Sequence, residues 1–265
     1  MNYVYLAVIH LTLENSKLRR KKVLQVEDLK FECSSTQLIV AALNEEHGIG
    51  PTLMEFLDYV QTPKVIVVDG HSRDRTVEIA KDLGVEIFFQ EGVGKGNAIA
   101  KALKHIDLNV KYVVLTDADH TYPAEYVPRM IEILERKQYV GMVCGNRFHG
   151  KVEPKAVERS FYFGNKLLRY AHSLLNGVSL ADPLTGLRVI RTEILRDWNV
   201  KSQGFDVEVE LNRLVERKGY TTVEVPIKYR QRIGEKKLRI RHGATILKRI
   251  LQEAITQEKG KTITS

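Results

Sequence analysis

The sequence predicts an α/β fold built on a mostly parallel central sheet flanked by helices, and three observations predict it. From Gln37 onward, short runs of β-branched and aliphatic residues alternate with amphipathic stretches, the rhythm of βα units. Polar turns follow successive apolar runs, at the strand ends where open α/β sheets bind ligands. No internal repeat and no linker rich in Pro, Gly or Ser interrupts the pattern. Residues 36–240 therefore read as one domain, between an N-terminal extension (1–35) and a C-terminal amphipathic helix with a tail (241–265).

The extension opens with the apolar stretch Tyr3–Leu13 and runs into Lys17, Arg19, Arg20, Lys21 and Lys22. It falls short of the roughly 20 apolar residues that a membrane span needs. It also lacks the basic leader and small-residue cleavage site of a secretory signal. An extra strand or a loosely attached segment is the plain reading, and a shallow contact with anionic headgroups is the sharper one. Strands are expected at Gln37–Ala42, Lys64–Val68, Val85–Phe89, Tyr112–Thr116, Met142–Cys144, Leu187–Ile190 and Thr222–Tyr229. Helices are expected at Thr52–Val60, Thr76–Leu83, Asn97–His105, Ala124–Arg136, Ala156–Leu175, Phe205–Lys218 and Ala244–Ile255, with Glu258–Ser265 as a frayed tail.

Composition narrows the function classes. With 43% of its 265 residues apolar and 28% charged, the chain can form a proper core and is neither disordered nor low-complexity. A net charge of +8 points to an anionic partner: nucleic acid, nucleotide phosphates or a lipid surface. Only Cys33 and Cys144 occur, with no disulfide framework and no paired metal-ligand spacing, so a reducing, cytoplasmic setting is expected.

Four strand ends deliver polar groups to one edge: Asn44-Glu45-Glu46, Asp69-Gly70-His71-Ser72, Glu91-Gly92-Val93-Gly94-Lys95-Gly96-Asn97 and Asp117-Ala118-Asp119. The last is the sharpest. Alternate residues of an extended chain point the same way, so both carboxylates can face one point, and they repel unless a cation neutralises them. A hard ion, Mg²⁺ or Mn²⁺, suits that pair and can also bridge phosphate oxygens. For Asp119 the alternative is a helix cap near Pro123. The glycine-rich turn lets backbone N–H groups approach an anion, with Lys95 as an added charge. Its spacing matches neither a P-loop nor a dinucleotide fingerprint.

In order along the chain, these motifs are joined by Gly145-Asn146-Arg147, Asp182-Pro183-Leu184-Thr185-Gly186-Leu187-Arg188 and Gly234-Glu235-Lys236-Lys237-Leu238. Together they resemble the family 2 glycosyltransferases, most closely the dolichol-phosphate mannose synthase branch of polyprenyl-phosphate hexosyltransferases, from about Gln37 to Leu238. The resemblance implies a GT-A, Rossmann-like fold, a nucleotide-sugar donor and a divalent cation. It assigns Asn44, Glu45, Asp69, Lys95, Arg232 and Lys237 to the donor side, and Asp117 and Asp119 to the metal. It assigns Arg147 and Thr185, within the Asp182–Arg188 loop, to the acceptor side. Departures from the family pattern, such as His71 where serine is usual and Thr121 where glutamine is common, leave the base and the sugar open.

The expected reaction is a metal-dependent, inverting displacement moving a hexose from GDP-mannose, UDP-glucose or UDP-N-acetylglucosamine to dolichyl or polyprenyl phosphate, with Asp119, Arg147 and Asp182 as catalytic residues. A lipid phosphate is already largely dianionic, with a second pKa of about 6, and needs cationic positioning more than a base. Arg147 and Arg159 can supply that, since guanidinium offers a fork suited to phosphate. With a hydroxyl acceptor, Asp182 would serve as general base; otherwise it is a turn or capping aspartate. Glu208 and Glu210 read as structural or as supports behind the site. A lipid substrate implies a peripheral position on the cytoplasmic face of a membrane, through the basic and apolar Arg239–Ile255 region or a membrane partner subunit. A saccharide or small-metabolite acceptor is the alternative. A basic nucleic-acid-binding module is disfavoured, because basic and acidic residues interleave and no such motif occurs.

Overall fold

The computed structural model describes residues 35–60, 64–149, 159–235, 237, 239 and 241–262. Its side-chain description omits residues 159–161 and 257–262. The expectations for Tyr3–Leu13 and its basic neighbours, and for a helix start at Ala156, lie outside the described residues.

Among the described residues seven strands form one sheet: β1 (Thr36–Ala42), β2 (Val65–Asp69), β3 (Glu86–Phe89), β4 (Tyr112–Asp117), β5 (Val140–Asn146), β6 (Arg188–Arg191) and β7 (Thr221–Pro226), in the order β3-β2-β1-β4-β6-β5-β7. β1, β2, β3 and β4 run parallel. β5 and β7 pair parallel, and β6 lies between β4 and β5 antiparallel to both. That reversal shapes the site. It brings the start of β6, and so the Asp182–Arg188 loop, to the edge where β4 and β5 end.

The strands carry apolar residues on both faces because helices cover both. Leu38 and Val40 of β1 and Val114 of β4 join one core, while Ile39, Val113 and Leu115 join the other. On the first face lie α1 (Ile49–Val60), which contributes Ile49, Leu53, Phe56 and Val60, and α4 (Val127–Arg136), which contributes Met130 and Leu134. With them is α2 (Thr76–Asp82), through Ala80. The second face carries α3 (Lys95–Leu103), α6 (Thr192–Leu195) and α7 (Val207–Arg217).

The α-helix expected from Ala124 starts instead at Val127, after a 3₁₀ turn over Ala124–Tyr126. Pro128 explains the shift. Its ring would strike the carbonyl four residues back in a helix begun at Ala124, whereas Pro is tolerated in a first turn.

α5 (Arg159–Asn176) and α8 (Arg241–Thr262) close a third cluster with α7, in which Val209, Ile246 and Ile250 meet Leu168 and Ala171. α8 continues to Thr262 instead of fraying from Glu258. The Asn176 side-chain amide donates to Ile250 O at 3.0 Å, and Arg213 Nη1 donates to Asn176 O at 2.8 Å. The fully buried His172 ring lies 3.0 Å from the Asn176 amide nitrogen and 3.4 Å from that of Asn212. Burial, then the charges of Arg213 and Arg188, push the His172 pKa down to about 3. Because the folded value lies below the unfolded one of about 6.5, this group's contribution is present above pH ~6.5 and is lost as pH falls towards ~3. His172→Gln is expected to flatten that part of the acid limb in urea melts; an unchanged limb would contradict it. Among the described residues no helix is long and apolar enough to cross a membrane.

Candidate active site

The chain runs outward from β1 to β2 and β3, then returns to place β4 on the other side of β1. Such a switch point opens a crevice at the strands' carboxyl ends. Register levels the tips: Ala41 pairs with Asp117, and Ala42 with Asp69.

The Asp69 carboxylate is buried and folded onto its own turn, accepting from Ser72 N at 2.7 Å and Ser72 Oγ at 2.6 Å. Ser72 Oγ accepts in turn from Asn44 N at 2.8 Å, and Asn44 Oδ1 accepts from Arg73 N at 2.7 Å. Asp69 and Asn44 thus tie the first two turns together. Beside them the His71 ring stacks on Phe89 at 5.6 Å, a flat surface of the kind a base can lie against.

Asp117 and Asp119 both reach the crevice. Asp119 is not a helix cap: its Oδ1 accepts from Thr121 N and Oγ1 at 3.2 and 2.7 Å, and its Oδ2 meets Arg232 Nη1 at 2.5 Å. The other terminal nitrogen of Arg232 pairs with Glu45. Burial, then the Asp117 charge, push the Asp119 carboxyl above the usual range, against the pull of Arg232. Burial pushes Glu45 up to about 8, opposed chiefly by Arg232. Glu45 Oε2 and Arg232 Nε are buried with no hydrogen-bond partner among the described residues. This oxygen-only donor set, with the orphaned Glu45 Oε2 beside it and the Asp119 charge disfavoured by burial and by Asp117, fits a hard divalent cation. Among the described residues no cluster of three or more His, Cys, Asp or Glu forms a complete cage. Such an ion would use the two aspartates and take its remaining ligands from phosphate and water, as Mg²⁺ commonly does.

The late segment is drawn in by its backbone: Arg230 N donates to Thr121 O at 3.1 Å and Ile233 N to Asp119 O at 3.2 Å. Lys237 Nζ donates to Asn44 O at 3.1 Å. Arg230 grips Glu55 with both terminal nitrogens, at 2.5 and 2.9 Å. Arg232 and Lys237 therefore stand over the turns that follow β1 and β4.

Lys95 is held between Asp117 Oδ1 at 2.6 Å and Glu208 Oε1 at 2.8 Å. Burial opposes its charge, but the two carboxylates outweigh it and raise its pKa above the ordinary lysine value. Glu208, read from the sequence as structural or as a support behind the site, supports it by pairing with Lys95. Its signal was the acidic alternation Asp206, Glu208, Glu210 in a helical first turn. Gly94, at φ 104°, precedes α3, a conformation that L side chains rarely adopt.

On the other side of Asp117, Arg147 and Asp182 find each other. Arg147 Nε and Nη2 donate to the two carboxylate oxygens at 2.7 and 2.6 Å, and its backbone N–H adds a third bond at 3.0 Å. Neither stands free: Asp182 accepts on both oxygens, and only Nη1 of the Arg147 fork is not engaged by it. Glu224 of β7 anchors the loop by accepting from Ala181 N and Asp182 N, each at 2.7 Å. Arg188 is buried and donates to Thr185 O at 2.9 Å, Pro183 O at 2.8 Å and Asn212 Oδ1 at 2.7 Å. Thr185 is wholly buried, and its hydroxyl has no hydrogen-bond partner among the described residues. Gly186 lets the loop pass the Asp117 carboxylate, since any Cβ there would overlap it. Arg159 begins α5, but its side chain lies outside the described residues. The Tyr122 hydroxyl, which accepts from Gly186 N at 2.7 Å, carried no sequence signal.

The glycosyl transferase family 2 model matches residues 37–198. A dolichyl-phosphate hexose transferase of Haloferax volcanii is 35% identical over 225 residues, covering 83% of this chain and 94% of that one. An undecaprenyl-phosphate mannosyltransferase of Micrococcus luteus is 28% identical over 216 residues, covering 76% and 86%. Among solved structures, glucosyl-3-phosphoglycerate synthase from Mycobacterium tuberculosis, in complex with Mn²⁺, UDP and glucosyl-3-phosphoglycerate, superposes with a TM-score of 0.70. It shares 19% identity and covers 86% of this chain and 84% of that one, a likeness of fold alone. The matched residues span the strands β1, β2 and β4 whose ends carry Glu45, Asp69 and Asp117, and on that ground the chain belongs to the family 2 glycosyltransferases, with their GT-A fold.

Proposed function

We propose that this enzyme is an inverting hexosyltransferase that moves a hexose from a nucleotide-sugar donor to a polyprenyl or dolichyl phosphate, with Mg²⁺ or Mn²⁺ held by Asp117 and Asp119. The observation that favours a phosphate acceptor is the closed Arg147–Asp182 pair. An aspartate that accepts from Arg147 on both oxygens is poorly placed to take a proton from an incoming hydroxyl. A phosphate nucleophile arrives deprotonated and needs no such base. The activity named for the H. volcanii relative supports the same acceptor class.

In this reading the turns at Asn44–Glu46 and Asp69–Ser72 seat the nucleoside. Arg232 and Lys237 lie over the diphosphate, where preorganised positive charge stabilises a leaving group as its charge develops. A divalent cation at the aspartate pair supplies further neutralisation of those oxygens. Arg232 bridges Glu45 and Asp119 here, so donor binding exchanges these partners for phosphate oxygens. Lys95 holds Asp117 in place, and Arg147, fixed by Asp182, presents its remaining nitrogen to the acceptor phosphate.

The test is transfer of labelled sugar from GDP-mannose, UDP-glucose and UDP-N-acetylglucosamine, in parallel, into solvent-extractable polyprenyl phosphate dispersed in detergent with Mg²⁺ or Mn²⁺. Label in the lipid phase from one donor, lost with EDTA, is the expected result. Metal-dependent nucleotide binding without lipid label from any donor would overturn the acceptor assignment.

A further inference from the structure

α5 packs inward on α7 and α8 through Leu168 and Ala171. Its outer side is exposed. Phe163, Leu167, Tyr170 and Leu174 recur at the spacing of one helical face and are 65%, 67%, 68% and 71% exposed. On the neighbouring α8, Leu247, Leu251 and Ile255 form a second exposed row at four-residue intervals. Apolar rows of this length are uncommon on surfaces that face only water.

The charges beside them share one sign. α5 contains no acidic residue, and Lys166 and Arg169 are exposed on it. Between Arg241 and Thr256, α8 has a single acid, Glu253, which is buried in pairs with Arg217 and Arg249, while Lys248 is exposed. The face also adjoins the acceptor end of the site. Tyr162, one residue before the row, meets Phe148 edge-on at 5.5 Å, and the Arg147 guanidinium lies 5.4 Å from the Phe148 ring centre.

We propose that this α5–α8 face docks on an anionic lipid bilayer, its apolar rows entering the acyl boundary and Lys166, Arg169 and Lys248 lying among the headgroups. A second copy of the chain is a poorer occupant, because a two-fold contact would bring like charges together with no exposed acid between Arg159 and Asn176 or between Arg241 and Thr256 to offset them. The proposal deepens the polyprenyl-phosphate reading and rests on it for its purpose: docking would carry the acceptor end of the site to the depth where a lipid phosphate lies.

The test is flotation of the full chain with vesicles of phosphatidylcholine alone and of phosphatidylcholine with phosphatidylglycerol. Stronger binding to the anionic vesicles is expected. The pair Leu167→Glu and Leu174→Glu should lower the partition coefficient by at least about tenfold. Separately, Lys166→Gln, Arg169→Gln and Lys248→Gln should remove preference for the anionic vesicles by about fivefold per charge. Nucleotide binding in every variant should match the parent, which shows the fold intact. Parent protein that floats with neither vesicle, variants that float like the parent, or a parent dimer that the leucine variants dissolve would each overturn the proposal. Transfer to polyprenyl phosphate in detergent reads the acceptor assignment separately: vesicle binding without transfer overturns that reading alone, and transfer without vesicle binding overturns the docking face alone.

Discussion

Asp119→Asn is expected to cut metal-dependent sugar transfer by at least about 10³-fold, because a metal's stabilisation of transition-state charge is worth several kcal/mol and each ~1.4 kcal/mol is tenfold in rate. Asparagine keeps the shape and an acceptor oxygen for Thr121. It removes the charge that would hold a cation with Asp117 and that faces Arg232. The same substitution should not lower the thermal midpoint. Burial and Asp117 already disfavour the ionised form of Asp119 in the fold, so a neutral isostere relieves that repulsion. Weakened Mn²⁺ binding, read by the paramagnetic signal of free Mn²⁺, should accompany the loss. Transfer within a few-fold of the parent would refute the metal assignment.

Asp182→Ala is expected to act on stability first. It would leave the Arg147 guanidinium without its carboxylate in a pair whose side chains are 11% and 1% exposed. Breaking a buried pair from one side costs about 3–5 kcal/mol. For a domain of this size that corresponds to a midpoint lowered by about 6–20 °C. Adding Arg147→Leu should restore part of the loss, since an apolar pair of similar volume removes the orphaned charge. The Asp182–Arg188 loop is also held by Glu224 and Arg188, so the double variant should remain folded. A midpoint unchanged in Asp182→Ala would show that the aspartate is not what seats Arg147, and would reopen its reading as a base.

The strands and the polar turns at their ends were legible from residue order alone, because their determinants are local. Apolar runs such as Leu38–Ala42 and Val65–Val68 are strands wherever they are packed on both faces. The turns after them carry their own hydrogen-bonding side chains, as Asp69 does with Ser72. The strand alternation expected to place Asp117 and Asp119 reaches only the first of them: β4 ends at Asp117, and Asp119 stands in the turn beyond it, bonded to Thr121. Where local chemistry was ambiguous, expectation and structure part. Pro128 delayed α4.

The sequence by itself thus determined which segments are strands and which turns carry chemistry, since both depend on neighbours a few residues apart. Only the tertiary structure decided which charged groups meet. Arg147 closes on an aspartate 35 residues away, and Arg232 joins Asp119 and Glu45 across 113 and 187 residues. Those partners depend on the antiparallel insertion of β6 and on the path of the late segment, which no local pattern encodes. The exposed row on α5 is of the same kind. The sequence predicts a helix there without saying which of its faces is covered, and only packing shows that Leu168 and Ala171 turn to the core while Phe163, Leu167, Tyr170 and Leu174 face outward. The physical reason is common to all of these: an apolar period states that a face is to be covered, whereas what covers it is set by the packing of every other element.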